Sequence, residues 1–369
     1  MKIRDITIGR NSIGTDHPPF IIAEMSGNHN QSLDRALALV DEAAKAGAQA
    51  LKIQTYTADT MTLDLRRDEF MVNDPKSLWY GSTLYELYTK ASTPWEWHKP
   101  IFDRCRQRGL IGFSTPFDAS AVDFLESLDT PLYKVASFEN IDLPLIKKIA
   151  VTGKPMIIST GMATTGEIQE ALDAARSNGC RDVVILKCTS SYPASPAESN
   201  LNTIPDMRKL FKVHVGLSDH TLGIGVAVAS VALGSEVIEK HFTIARSDGG
   251  VDSQFSLEPK ELAALVSESR SAWQSRGGIH YGPTASEQGS LAFRRSLYIV
   301  KDLKAGDALT PENLRAIRPG RGLPPKQLEK LLGRKVNRDV PKGTPASWDL
   351  FKQGWSETPP PQGGRHLRT

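Results

Sequence analysis

The residues with chemistry to offer fall at the ends of short apolar runs. Glu24 lies in FIIAEMS, Lys52 and Gln54 stand two apart in ALKIQTY, and Ser114 and Thr115 sit in IGFSTPF. Lys134, Ser137 and Glu139 end or follow LYKVAS, Ser159 and Thr160 close PMIIST, and Ser190, Ser191 and Tyr192 follow VVILKCT. Ser218, Asp219 and His220 end HVGLSDH, and His241 lies in VIEKHFT. A charge beside a buried run is costly unless it is paired or in use, so this density marks a site. Lys52 and Lys134, with Ser137, Ser159 and Ser218, present two cations and several hydroxyls, the groups that a small doubly anionic ligand such as a phosphorylated carboxylate requires. The alternatives are local pairing of each lysine, or a Schiff-base aldolase in which one of them is the nucleophile. His220 and His241 close neighbouring runs. They are either two rim histidines bonded to backbone or a pair of neutral imidazoles sharing one divalent ion, with Mn, Zn or Fe(II) as the fitting metals. His29 is a third candidate ligand, or a capping or substrate contact, and His214 reads as structural. Asp252, in the Gly-rich segment RSDGGVD, is placed either to contact substrate hydroxyls or a metal-bound water, or as a solvated turn acid.

Something must hold these residues on one circle. The eight runs are continuous rather than alternating in hydrophobicity, as parallel strands buried on both faces are. Helical patterns separate them: Ser32 caps one stopped at Gly47, and Thr164 with Glu167 forms a capping box ahead of another. Eight strand–helix units predict a (β/α)8 TIM barrel, which gathers its functional residues at the C-terminal ends of its strands; a doubly wound open sheet is the competitor. The long connection between Tyr56 and Ile111 carries LWYGSTLYELY and TPWEWHKP and predicts an inserted helical excursion. Its aromatics Trp79, Tyr80, Tyr85, Trp95 and Trp97 form either a lid or the excursion's own core.

After Gly282 short apolar segments alternate with Gly/Pro turns, predicting a small β-rich module. The expected organisation is a barrel over 1–285, the module over 286–352, and a disordered Pro/Gly-rich tail over 353–369. The 369 residues carry 45 Lys and Arg against 42 Asp and Glu, a net charge of +3 that offers no footprint for nucleic acid or an anionic membrane. Cys105, Cys180 and Cys188 are odd in number and widely spaced, which predicts free, inert thiols and a cytoplasmic location. The N-terminus has no signal-peptide pattern, and the longest apolar run is too short to span a bilayer.

The strand-end segments IIAEMSGNHNQ, LKIQTYTADTM, FSTPFD, YKVASFE, IISTGM, KCTSSYP, GLSDHT and EKHFT, in that order, resemble the sialic acid synthase family. FRRSLYIVKDL…AIRPGRGLPP resembles the antifreeze-like (SAF) domain that ends those enzymes. EMSGNHNQ, YTADTM and TLYELY…TPWEWHK are similar to the pseudaminic branch of the family; Met25-Ser26-Gly27 and Gln31 depart from the pattern of the sialic and legionaminic branches. The resemblance implies a TIM barrel followed by the SAF domain in a domain-swapped homodimer. It also implies condensation of phosphoenolpyruvate with an N-acetylated amino-sugar in its aldehyde form, with release of phosphate and a divalent metal, normally manganese. His220 and His241 match the family's metal ligands. Lys52, Thr115, Lys134, Ser137, Ser159 and Ser218 match its phosphoenolpyruvate contacts, and Ser190 stands where the sialic branch carries Asn. Glu24, Gln54, Tyr192 and Asp252 match residues around the sugar, and Arg318 matches an arginine that reaches the partner subunit's site. Glu139 matches the acid beside the reacting carbons, so the implied catalytic set is Glu139, Glu24, His220 and His241.

Overall fold

A computed structural model describes residues 3–351; the tail expected to be disordered lies outside the described residues. The chain forms two compact units, Met1–Gly277 and Gly278–Thr369. The first unit opens with an antiparallel hairpin of β1 (Ile6–Ile8) and β2 (Asn11–Ile13). Then β3 (Phe20–Glu24), β4 (Ala50–Thr55), β5 (Ile111–Pro116), β6 (Tyr133–Val135), β7 (Met156–Ser159), β8 (Val183–Cys188), β9 (His214–Asp219) and β10 (Val237–His241) follow. These eight are the predicted runs. They pair in parallel in sequence order, and β10 returns to β3 with His241 opposite Glu24, which closes the barrel and excludes the open sheet.

The helices form where the local chemistry directs. The Ser32 side chain accepts from the Arg35 N–H to start helix Leu33–Ala46, which ends at Gly47 in the left-handed region at φ 88°. Thr164 and Glu167 make the expected capping box ahead of helix Thr165–Ser177. Between β4 and β5, helix Leu84–Ala91 belongs to the excursion, and helix Trp95–Arg108 is the ordinary crossover packed against the barrel.

Alternate strand residues face the barrel interior, and this sorts the chemistry by depth. Phe20, Ile22, Ala50, Phe113, Leu132, Ile157, Val184, Leu186 and Val237 form one apolar cluster with Ile6, Ile8 and Ile13 of the hairpin. The hairpin is therefore a plug in the N-terminal end, and burying each such side chain contributes about 1.5–3 kcal/mol. Two residues further along the same inward faces stand Glu24, Lys52, Thr115, Lys134, Ser159, Cys188 and Glu239. Outward residues, among them Ile21, Leu51, Val135, Ile158, Val215 and Ile238, pack under the helices. Among the described residues no helix is long and apolar enough to cross a membrane, and Cys105, Cys180 and Cys188 are all free and buried.

The second unit pairs β11 (Ser296–Ile299) with β12 (Leu314–Ile317) antiparallel. Isolated bridges such as Leu303 to Val340 and Ala308 to Lys335 extend it. It has its own apolar core, including Leu297, Ile299, Leu314, Leu331 and Val336.

Candidate active site

Strand register sets the deepest layer. Glu24 lies opposite Lys52, and the Lys52 Nζ stands 2.8 Å from the Glu24 carboxylate and 3.6 Å from that of Glu239. The same ammonium donates to Thr115 Oγ1 at 3.1 Å. Gln54 Nε2 donates to Glu24 Oε1 at 2.8 Å and to Ser26 Oγ at 3.2 Å. Burial pushes the Glu24 carboxyl up despite the lysine beside it. Burial works the same way on Glu239, but Lys52 and Lys134 outweigh it and hold that carboxyl below its ordinary range.

Lys134 differs from Lys52. It is 1 % exposed and donates to Ser159 Oγ at 2.6 Å and to the Val135 carbonyl at 2.8 Å. Among the described residues it has no carboxylate in ion-pair contact, and burial lowers its pKa. An ammonium has three donors, so this buried cation has one to spare for an anion. Close by, the Gly161 N–H donates to Ser137 Oγ at 3.1 Å. A Cβ on Gly161 would come within 2.1 Å of Ser190 Oγ and 2.7 Å of Ser137 Oγ. The hydroxyls thus gather over bare backbone, in a space only glycine leaves open.

At the mouth, the His220 and His241 rings lie 5.3 Å apart between centroids. His220 Nδ1 faces the Thr189 carbonyl at 3.0 Å, so this nitrogen carries a proton and Nε2 is the one left to face a ligand; burial works against a charge on the ring, but Cys188 and Thr189 raise its pKa. His241 Nδ1 is buried with no hydrogen-bond partner and stands 3.5 Å from an Asp252 carboxylate oxygen. Burial, with His220 and the lysines Lys52 and Lys240 nearby, keeps its pKa well below the usual value, so the ring is neutral. Asp252 in turn accepts from Ser26 Oγ. Tyr192 packs on His220 at 4.5 Å, Phe255 on His241 at 4.9 Å, and Trp79 reaches Tyr192 at 5.9 Å. With His220 Nδ1 committed to the Thr189 carbonyl and a buried nitrogen of the neutral His241 unpartnered, the pair fits a divalent ion. No cluster of three His, Cys, Asp or Glu ligands forms among the described residues, so water and substrate oxygens would complete the coordination.

Glu139 ends the 3-10 turn Ser137–Glu139 after β6. Its Oε2 is buried without a partner, and burial raises its pKa to about 7.

Ser218 is buried on β9, in register with Cys188 and Glu239. Arg318 lies in the second unit, exposed, just beyond β12. His29 serves a different purpose from ligation: its Nδ1 accepts from the Gln31 N–H at 3.1 Å and its Nε2 meets Thr93 Oγ1 at 3.3 Å, pinning the excursion to the barrel. The excursion's aromatics divide. Trp95 stacks on Phe124 at 4.6 Å inside the unit, whereas Trp79 joins the mouth and donates to the Val251 carbonyl at 2.9 Å. Residues that the sequence reading did not place in the site are Glu239, Ser26 and Phe255. The Cys188 thiol, expected to be inert, lies 3.9 Å from both Ser190 Oγ and His220 Nδ1. Burial alone would raise it, yet His220, Ser137 and Lys134 bring its pKa down to about 7. Glu239 was legible, since it stands two residues before His241 on one strand and so shares its inward face.

The sequence pattern of the NeuB family matches residues 39–281, and that of the SAF domain matches 294–352. The chain belongs to the NeuB family. Within it, the chain is 42 % identical to the pseudaminic acid synthase of Campylobacter jejuni over 93 % of this chain and 98 % of that protein. It is 36 % identical to the N,N'-diacetyllegionaminic acid synthase of the same organism, over 86 % of this chain and 96 % of that one. Among solved structures, the N-acetylneuraminic acid synthetase of Leptospira borgpetersenii superposes with a TM-score of 0.69 at 32 % identity, covering 78 % of this chain and 95 % of that one. The family, the barrel and the SAF domain expected from the strand-end motifs are thereby borne out.

Proposed function

We propose that this chain is a pseudaminic acid synthase. It condenses phosphoenolpyruvate, 2,4-diacetamido-2,4,6-trideoxy-L-altrose and water to pseudaminic acid and phosphate, as a cytoplasmic homodimer. The observation that carries this reading is the 42 % identity across nearly the whole of both chains to an enzyme of that name, above the 36 % to a legionaminic acid synthase.

In this reading the deep layer holds phosphoenolpyruvate. Lys134, with its spare donor, and Lys52 neutralise the phosphate and carboxylate, while Thr115, Ser137, Ser159, Ser190 and Ser218 supply hydroxyls. Glu239 and Glu24 hold Lys52 charged between them and fix its direction. The sugar lies above, against Glu24, Gln54, Tyr192 and Asp252, with Arg318 contributed by the partner subunit of a domain-swapped dimer. A divalent ion held by His220 and His241, most readily Mn2+, would supply Lewis-acid polarisation of the aldehyde. C3 of the enol forms the new bond to the aldehyde carbon, and positive charge develops at C2. The Glu139 carboxylate stabilises that charge, water adds at C2, and the resulting hemiketal phosphate expels phosphate by C–O cleavage.

The test is phosphate release from phosphoenolpyruvate with Mn2+ and three sugars in parallel: the altrose above, 2,4-diacetamido-2,4,6-trideoxy-D-mannose and N-acetylmannosamine, each with and without EDTA. EDTA-sensitive release with the altrose alone is expected. Release with another sugar in its place overturns the substrate assignment, and trapping of a pyruvate adduct by borohydride overturns the mechanism.

A further inference from the structure

The end of the barrel opposite the lysines and imidazoles has a cavity that this reaction does not use. It has a volume of about 390 Å³ and lies between the N-terminal approach to β1, the turn into β8 and the turn into β9. Arg4, Arg176, Arg181 and Lys212 line it against a single carboxylate, Asp182. Asp182 pairs with Arg4 at 2.6 Å, and Arg176 donates to the Phe211 carbonyl at 3.2 Å. Among the described residues, Arg181 and Lys212 have no carboxylate in ion-pair contact. Lys212 holds φ +54° at the end of helix Thr203–Phe211, a left-handed position that glycine takes more readily.

The inner wall is charged as well. His214 is 2 % exposed, and both of its nitrogens face acceptors: Glu236 Oε2 at 2.7 Å and the Arg4 carbonyl at 2.8 Å. Each nitrogen must therefore carry a proton, and the ring is an imidazolium whose counter-ion Glu236 is shared with Arg208 at 2.6 Å. Opposite the cations, Ile3 gives the cavity an apolar side, backed by the buried Ile6, Val183 and Val213. Guanidinium forks suit phosphoryl oxygens, the apolar side suits the face of a flat ring, and the volume is that of a small-ligand site. An excess of cations beside an apolar wall is poorly explained by solubility alone.

We propose that this cavity on the barrel floor is a second binding site, which takes a nucleotide-class phosphate ester: the phosphate between Arg181 and Lys212, the base against Ile3. It is separate from the catalytic mouth and does not depend on the reaction assigned there.

The experiment is calorimetric titration of the full chain with a panel of nucleoside 5′-monophosphates, with inorganic phosphate and the free nucleosides as controls. The Arg181→Gln/Lys212→Gly variant and a Lys134→Ala variant are titrated alongside, their folding checked by thermal melts. Saturable binding of at least one nucleotide is expected, about tenfold or more tighter than phosphate or nucleoside. It persists in Lys134→Ala and weakens by about tenfold or more in the floor variant. Equal binding in the floor variant overturns the proposal. So does loss of binding in Lys134→Ala, phosphate binding as tightly as any nucleotide, or no saturable binding at all. Because the readout is heat of binding, its failure is separable from failure of the synthase assignment.

Discussion

Glu139 shows how placement alone changes what a side chain can do. An exposed glutamate is ionised throughout the neutral range, but here burial brings its carboxyl to about 7. If the ionised form stabilises charge at C2, kcat/KM rises with pH through about 7 and levels above it. Glu139→Gln should lower kcat by about 100-fold or more and flatten that limb, read from pH–rate profiles of the two proteins. A profile in the variant with the same limb removes Glu139 from the mechanism. The hydroxyl cradle makes a second demand at the scale of one atom. Gly161→Ala adds a methyl where Ser190 Oγ and Ser137 Oγ now lie. The KM for phosphoenolpyruvate should rise by about tenfold or more, with the thermal midpoint lowered by a few degrees as the crowded serines give way. An unchanged KM would place the phosphate elsewhere.

At the scale of elements, the strands were readable from composition and the hairpin was not. Eight continuous apolar runs foretold β3 to β10 to within a few residues, because a strand buried on both faces has little freedom in its pattern. The N-terminal segment shows only single isoleucines among polar and charged residues. Ile6, Ile8 and Ile13 have meaning only once a barrel end needs filling, which is a tertiary fact. Depth was hidden for a similar reason: which of Lys52, Gln54 or Glu239 points inward depends on register, and only the alternation within a run hinted at it. The floor that joins hairpin to barrel should respond to pH. His214 is raised from its ordinary pKa: burial works against its charge, but the hydrogen bonds to Glu236 and the Arg4 carbonyl prevail. A group raised in the folded state contributes its full stability below its unfolded pKa of about 6.5 and loses it as pH climbs through the folded value. Wild type should therefore lose about 2–4 °C more of its thermal midpoint than His214→Phe on going from about pH 6 to pH 9. Parallel curves in the two proteins would show that His214 is not the linked group.

For the whole molecule, family and fold were legible because many short motifs recur in a fixed order, whereas the path of Arg318 was not, since one chain's sequence does not say whose site an exposed arginine serves. Mixing resolves it. If the arginine acts on a partner, His241→Ala and Arg318→Ala chains, each of low activity alone, should regain about a quarter of wild-type activity after dissociation and reassociation, since half the dimers then contain one intact site. No recovery would confine Arg318 to another role. The plugged barrel has a final consequence, for the order of events in turnover. Lys52 and Lys134 are 3 % and 1 % exposed, while Gln54 and Tyr192 nearer the opening are only half-buried, and the hairpin closes the far end. A well with one opening fills from the bottom, so the substrate seated on the lysines must arrive before the one seated above it. Turnover is then compulsorily ordered, and an unreactive sugar analogue should inhibit uncompetitively against phosphoenolpyruvate.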